Sequence, residues 1–197
     1  MNQAQTSKTR ILVECGIMMA FSMALSYVKI WEMPMGGSVT ALSMLPLVLL
    51  GYKYGLKWGL TAGVAFGLMQ LMFQANYLVG LSAFSVVVAV FFDYIFAFGA
   101  LGLSGLMKGK KGGFAAGAAI AVFARFLCHF VVGFAVWAAF ADQVALEGMN
   151  PVLYSFLYNI TYMGPEFITT TAAAFVMQKS ALSSFLKVPG GMAAPQN

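Results

Sequence analysis

The sequence predicts an all-α integral membrane protein, a six-transmembrane-helix bundle with both termini in the cytoplasm. Of its 197 residues, 61% are hydrophobic and 9% are charged, whereas soluble domains carry about 25% charged residues. Its apolar runs are long and continuous, as spanning helices of about 20 residues require, whereas barrel strands alternate over about 10 residues. Basic residues also concentrate in alternate connecting loops. Together these observations favour a helical bundle with a defined orientation.

The apolar runs define six spans in order. They cover approximately residues 9–29, 38–54, 57–75, 80–106, 114–141 and 151–178. The first is longer than the apolar core of a signal peptide, so we expect a retained span. The second is short and contains Pro46, and Pro165 in the sixth removes a helical hydrogen bond, which predicts a bend or break there. We expect residues 1–197 to form a single membrane domain.

The basic residues orient these spans. Of the eleven lysines and arginines, nine lie at the start of span 1, between spans 2 and 3, between spans 4 and 5, or after span 6. Cytoplasmic loops carry such an excess. Both termini are therefore expected inside the cell, and loops 29–37, 76–80 and 142–150 outside. The net charge of +5 follows from this topology and does not indicate nucleic-acid binding.

Small residues recur at every fourth position on two spans. They are Gly55, Gly59, Gly63 and Gly67 around span 3, and Gly16, Ala20 and Ala24 on span 1. Such spacing lets helix backbones approach closely within lipid. We interpret the span 3 series as packing inside the bundle. The span 1 series could pack internally or face another protein.

Polar residues lie deep inside the predicted spans. At about 1.5 Å per residue, Asp93 on span 4 and His129 on span 5 both lie roughly 20 Å below the outer surface. Arg125 lies one turn deeper than His129. Such residues are costly in lipid and usually face a protein interior with a function. A buried Asp93–Arg125 ion pair that joins spans 4 and 5 is the structural alternative, and it leaves His129 unexplained.

Aromatic residues complete an outward-facing cup above Asp93. Its predicted walls are Phe66, Tyr77, Trp137 and Tyr154. Aromatic walls suit a flat heterocycle, and a carboxylate suits a cation or an amino-pyrimidine edge. Asn159 can both donate and accept hydrogen bonds, as ring recognition requires.

Two motifs resemble those of enzymes and are rejected. Gly102-Leu103-Ser104-Gly105 matches the GxSG of intramembrane serine proteases. Ser104 lies near the cytoplasmic end of span 4, however, nearly 20 Å in depth from His129, and a nucleophile must hydrogen-bond its base. The phosphate-loop-like segment at 105–110 lacks a Ser or Thr after its lysine. We expect no catalytic residue, cofactor or metal.

The ordered set of these features resembles the thiamine-specific substrate-binding (S) components of energy-coupling factor (ECF) transporters, the ThiT or YuaJ type. The resemblance covers nearly the whole chain. It includes the six-span layout, Gly36-Gly37-Ser38-Val39 through Pro46, the glycine-rich span 3, Asp93-Tyr94, the segment from Arg125 to Trp137, and Tyr154-Ser155-x2-Tyr158-Asn159. It implies the S-component fold, the prokaryotic plasma membrane and a thiamine site near the outer surface.

The resemblance also implies the residues of that site. They are Phe66, Tyr77, Asp93, Tyr94, His129, Trp137, Tyr154 and Asn159, with Arg125 as structural support. Trp137 would stack on a ring of the vitamin, and Asp93 and Asn159 would form hydrogen bonds with its aminopyrimidine. His129 and Tyr94 would lie towards the thiazolium and its hydroxyethyl tail.

Three positions depart from the family pattern. Where the family often has glutamate, this chain has Asp93, which is one methylene shorter. Some members carry tryptophan where this chain has Gly37 and Phe66. Phe66 retains an aromatic face and Gly37 does not. Trp31, in the external loop, is predicted to compensate.

The resemblance finally implies partners. S components of this family carry no ATPase and dock, through small residues of span 1, onto a transmembrane coupling protein with two cytoplasmic ATPases. Gly16, Ala20 and Ala24 would form that contact.

Three alternative functions remain open from the sequence. The first is an S component for another vitamin, such as riboflavin or a pyridoxine-like ring. The second is a membrane-embedded enzyme or proton-coupled carrier that uses Asp93, Arg125 and His129, and the third is a structural subunit without a small ligand.

Overall fold

A computed structural model describes residues 8–34, 36–144 and 148–188. These residues contain six helices of ten residues or more. They are α1 (Lys8–Ser26), α2 (Leu45–Tyr54), α3 (Leu56–Gln74), α4 (Ala83–Met107), α5 (Gly113–Ala135) and α6 (Pro151–Lys179). The predicted six-helix layout is confirmed. Within the predicted external loop 142–150, residues 145–147 lie outside the described residues, as do both ends of the chain.

Length and hydropathy distinguish the helices. By these criteria four segments of the described chain could cross a membrane, namely α1, α3 with its 3-10 extension to Leu78, α4 and α5. Helix α6 has 29 residues but carries Asn159, Glu166 and several threonines, which lower its mean hydropathy. Helix α2 has 10 residues, about 15 Å, and reaches through roughly half of the hydrocarbon core.

The prediction of a helix over 38–54 is wrong in its first part. Strand β1 (Lys29–Glu32) pairs antiparallel with β2 (Ser38–Thr40), and Gly36 between them has φ +94°, which favours glycine. Helix α2 begins at Leu45 with Pro46 in its first turn, where the missing N–H has no helical partner to lose. We call residues 29–34 and 36–40 the outer hairpin.

Helix α4 changes its winding along its length, although the sequence predicts one regular helix over 80–106. An α-helical segment (Ala83–Ala89) leads into a π-helical segment (Val90–Phe96), and the helix ends as a 3-10 segment (Ala100–Met107). π-Helical turns are rare in proteins, and those that do occur are often found at functional sites. Asp93 and Tyr94 both lie in the π segment.

The other two differences concern the fifth and sixth spans. Helix α5 ends at Ala135, not at 141, because Val136 leaves helical geometry with φ −126°. A 3-10 segment, Trp137–Val144, follows. Helix α6 continues past Pro165, so of the predicted bend or break, a break is wrong. Tyr162 and Glu166, on either side of that proline, are buried and contact other elements, Tyr162 the His129 ring and Glu166 the Thr40 side chain.

Glycines bring α3 and α4 into close contact. A Cβ atom at Gly59 would lie 2.8 Å from the Gly102 Cα, and one at Gly63 would lie 3.0 Å from the Gly99 Cα and overlap the Phe98 carbonyl oxygen. The interpretation of this series as internal packing is thereby confirmed for both positions. Gly55 instead has φ +96° in the turn between α2 and α3.

Gly63→Ala is therefore expected to destabilise the protein by about 1–3 kcal/mol, because the added methyl group has no room against α4. Thermal unfolding in detergent would show this as a lower Tm. Gly16→Ala is the matched control, since a Cβ atom there would meet nothing within 4 Å and alanine favours the helix. Equal Tm values for the two variants would contradict the packing account.

Candidate functional site

A cavity of about 360 Å³ lies where the outer hairpin meets α3, α4, α5 and α6. This volume is at the lower end of the range for small-molecule sites, about 300–1,000 Å³. Seven of the eight predicted contact residues line it: Tyr77, Asp93, Tyr94, His129, Trp137, Tyr154 and Asn159. Arg125 also lines the cavity. The residues named from the sequence therefore lie together at one cavity, apart from Phe66.

Phe66 and Trp31 differ from their predicted positions. Among the described residues neither belongs to the cavity lining. Phe66 is buried behind it and packs edge-on against Phe98, with ring centroids 5.1 Å apart. Trp31 is 61% exposed on β1, so it does not replace the missing aromatic face in this conformation.

Asp93 is the centre of the hydrogen-bonded cluster in the cavity. Its Oδ1 lies 2.7 Å from His129 Nδ1, and its Oδ2 accepts a hydrogen bond of 2.8 Å from Trp137 Nε1. Asp93 and His129 thus lie at the same depth, as predicted. Trp137 reaches the carboxylate from the 3-10 segment that follows the end of α5. Both oxygens keep a second lone pair with which to accept further hydrogen bonds.

The bond to Asp93 places a hydrogen on Nδ1 of His129. Because an ionised carboxylate can only accept, Nδ1 carries the hydrogen. In a neutral imidazole Nε2 is then an acceptor. Nε2 is buried and has no partner among the described residues. His129 therefore presents an unpaired ring nitrogen beside the carboxylate.

The Asp93–Arg125 ion pair considered from sequence is not formed. Asp93 bonds His129 and Trp137 instead, and the Arg125 guanidinium lies over the Phe98 ring at 3.9 Å. Its Nε and Nη1 are buried without a partner within the described chain. Arg125 does not support Asp93 by direct contact, and cation–π stacking on Phe98 orients it at the cavity.

Helix α6 supplies Asn159 and Tyr154. Asn159 Nδ2 donates to the Ser155 carbonyl at 2.8 Å and the His129 carbonyl at 3.3 Å, and its Oδ1 accepts from Tyr162 Oη at 2.7 Å. The amide is therefore held in one orientation with one acceptor position left on Oδ1. The Tyr154 hydroxyl is buried and has no partner among the described residues, so it is available to a ligand.

The outer hairpin is attached to α6 by a buried carboxylate. Glu166 Oε1 accepts from the Thr40 backbone N–H at 2.5 Å and from Thr40 Oγ1 at 2.7 Å. A Cβ atom at Gly37 would lie 2.6 Å from the Tyr162 ring. A tryptophan at position 37 would therefore collide with Tyr162. Sequence reasoning missed this attachment, although the glycine pair of the hairpin and a glutamate inside a span were visible signals.

Ser104, the serine of the protease-like motif, has a structural role. It is fully buried, and its hydroxyl donates to the Val48 carbonyl at 2.7 Å. This bond joins α4 to α2.

The small residues of α1 face away from the rest of the bundle. Gly16, Ala20 and Ala24 are exposed, whereas Ile11, Cys15 and Ser22 are buried on the opposite side. Glu14 bonds Lys53 and Tyr54 of α2 and holds the inner side in place. Internal packing, one of the two uses considered for this series, is therefore wrong. We call Gly16, Ala20 and Ala24 the small-residue stripe.

Comparison with known proteins identifies relatives across most of the chain. A family model described as thiamine transporter protein (Thia_YuaJ) matches residues 12–186. The thiamine transporter ThiT of Bacillus subtilis is 33% identical over 168 residues, covering 80% of this chain and 84% of the relative. ThiT of Lacticaseibacillus paracasei is 29% identical over 168 residues, covering 76% and 77%.

A solved structure of ThiT from Listeria monocytogenes has the same fold. It superposes with a TM-score of 0.75 at 20% sequence identity, and the match covers 93% of this chain and 100% of that one.

Proposed function

The chain belongs to the thiamine transporter protein family (Thia_YuaJ), and from this membership we infer that it is the thiamine-binding S component of an uptake transporter. It is a multi-pass protein of a prokaryotic plasma membrane. It is the substrate-binding component of a transporter and not an enzyme. One membrane domain carries this function.

The observation that carries the site assignment is the Asp93 carboxylate held by His129 and Trp137 inside the cavity. Thiamine joins an aminopyrimidine to a cationic thiazolium, so it offers both donors and a positive charge. A carboxylate in a low-dielectric cavity attracts both. The aromatic rings of Trp137 and Tyr154 suit stacking on its two rings.

We assign the remaining contacts from the cavity lining. Asn159 Oδ1 can accept from the pyrimidine amino group, and Tyr94 and Tyr77 complete the side of the cavity formed by α3 and α4. Arg125, which does not contact Asp93, is assigned instead as a hydrogen-bond donor to the ligand at the cavity surface. Phe66 shapes the cavity through Phe98 and does not touch the ligand.

The other functions considered from sequence have less support. A proton relay needs Arg125, Asp93 and His129 in continuous contact, and Arg125 is not bonded to Asp93. A structural subunit would not need buried polar atoms without partners around a cavity, as found at His129 and Tyr154. Titration of the purified protein distinguishes thiamine from the other vitamins considered, riboflavin and pyridoxine.

Thiamine is expected to bind saturably to the purified protein and to quench the fluorescence of Trp137. A variant with Trp31→Phe and Trp58→Phe leaves Trp137 as the single tryptophan, so the fluorescence reports on the cavity. These two replacements should not disturb the site, because neither side chain lines the cavity. Competition with riboflavin and pyridoxine tests the vitamin. Tight binding of riboflavin with no binding of thiamine would overturn the assignment.

We further propose that the energy source is a separate ECF module, made of a transmembrane coupling protein and two cytoplasmic ATPases. Support comes from the small-residue stripe, which is exposed on α1 and has open space beyond Gly16. Small residues at this spacing allow a partner helix to approach closely in lipid.

A further inference from the structure

A second polar group lines the cavity on the side of α1 and α3. It consists of Ser26, Gln70 and Gln74, which we call the amide wall. Gln74 Nε2 donates to Gln70 Oε1 at 2.9 Å, and Gln70 Nε2 donates to Ser26 Oγ at 3.2 Å. Gln70 is 3% exposed. These bonds hold the Gln70 amide in a defined orientation at the cavity.

The amide wall has unused hydrogen-bonding capacity. A glutamine amide offers two donor hydrogens and two acceptor lone pairs, and the two bonds of Gln70 use one of each kind. A buried amide is costly unless its groups find partners. Gln70 and Gln74 stand four residues apart and therefore on one face of α3, which is otherwise apolar around them.

The chemistry of the amide wall differs from that of the Asp93 cluster. The Asp93 cluster presents a negative charge, whereas Ser26, Gln70 and Gln74 are neutral and can both donate and accept. An amide of this kind suits an alcohol, which also donates and accepts. The two groups line the same cavity, and the hydroxyl of Tyr94, which also lines it, lies 3.5 Å from the Gln74 carbonyl oxygen.

We propose that Gln70, oriented by Gln74 and Ser26, is a specificity-determining residue that binds the neutral hydroxyl group of the ligand. This rests on the proposed function, since thiamine carries such a hydroxyl at the end of its hydroxyethyl tail. The ligand then bridges the cavity, with its aminopyrimidine at the Asp93 cluster and its alcohol at the amide wall.

A cycle of protein and ligand changes tests the proposal. Wild type and Gln70→Leu are each titrated with thiamine and with an analogue in which ethyl replaces hydroxyethyl. Loss of the hydroxyl is expected to weaken binding to wild type by about 10-fold, the effect of one buried hydrogen bond. In Gln70→Leu the two ligands should differ by less than about 2-fold, because no amide remains to recognise the alcohol.

Two further variants separate recognition from folding. Gln70→Asn keeps an amide but shortens its reach by one methylene, and it too should lose most of the discrimination. Thr61→Val, an exposed position on the same helix, should keep the full discrimination of wild type. These comparisons use the ratio of two affinities, which a general loss of stability does not change.

The outcomes for this inference and for the proposed function are distinct. If wild type binds thiamine but does not distinguish it from the ethyl analogue, or if Gln70→Leu still discriminates by about 10-fold, the amide wall does not read the hydroxyl. If wild type does not bind thiamine at all, the proposed function itself fails.

Discussion

Asp93→Asn is expected to weaken thiamine binding by at least about 100-fold, since removing one member of a buried, hydrogen-bonded charge interaction costs roughly 3–5 kcal/mol. The amide that replaces the carboxylate has no charge for the thiazolium. It also offers one acceptor oxygen where Asp93 offers two, and His129 and Trp137 each use one of them. One of these two donors would therefore lose its partner.

Isothermal titration or quenching of Trp137 would measure this loss. Glu32→Gln is the matched control, because it makes the same kind of exchange at an exposed carboxylate of the outer hairpin, paired with Lys29. Its affinity should stay within about 2-fold of wild type, as for most exposed ion pairs. An Asp93→Asn protein that folds and binds thiamine like wild type would remove Asp93 from the site.

The depth of Asp93 and His129 was predictable because a regular helix has a fixed rise per residue. Two positions on neighbouring spans can therefore be compared from sequence alone, and their side chains do meet at 2.7 Å. The partner at the second carboxylate oxygen was not predictable. Trp137 reaches it because α5 ends at Ala135. No glycine or proline follows closely after Ala135 to mark that end in the sequence, and Gly133 lies inside the helix.

The outer hairpin shows a different limit of sequence reasoning. Ser38-Val39-Thr40 continues into the apolar residues of α2, so hydrophobicity alone favours one longer helix. The chain is extended there because Glu166, more than a hundred residues away, accepts the backbone and side-chain hydrogens of Thr40. Such a long-range bond leaves no local pattern. The pair Gln70 and Gln74, in contrast, forms a local pattern of two amides on one face of an apolar helix, although the pair was not predicted as part of the site.

Ala20→Trp is expected to abolish thiamine uptake while leaving thiamine binding unchanged. Ala20 lies at the centre of the small-residue stripe and is exposed, so the indole has room in the isolated protein. A partner helix that packs against the stripe would be held away by several ångströms, and close packing is what stabilises helix association in lipid. We expect uptake to fall by at least about 10-fold, because loss of a central contact can remove most of the binding energy of an interface.

Uptake of labelled thiamine would be measured in membranes that contain the energising module, and binding in detergent with the same preparation. Val87→Trp is the control, since it places the same side chain at an exposed position of α4 outside the stripe. It should affect neither measurement. Loss of binding together with uptake in Ala20→Trp would mean that α1 serves the fold of the bundle, and full uptake would place the docking surface elsewhere. Loss of uptake alone assigns the stripe to the partner, because α1 is held to α2 by Glu14 from the opposite side.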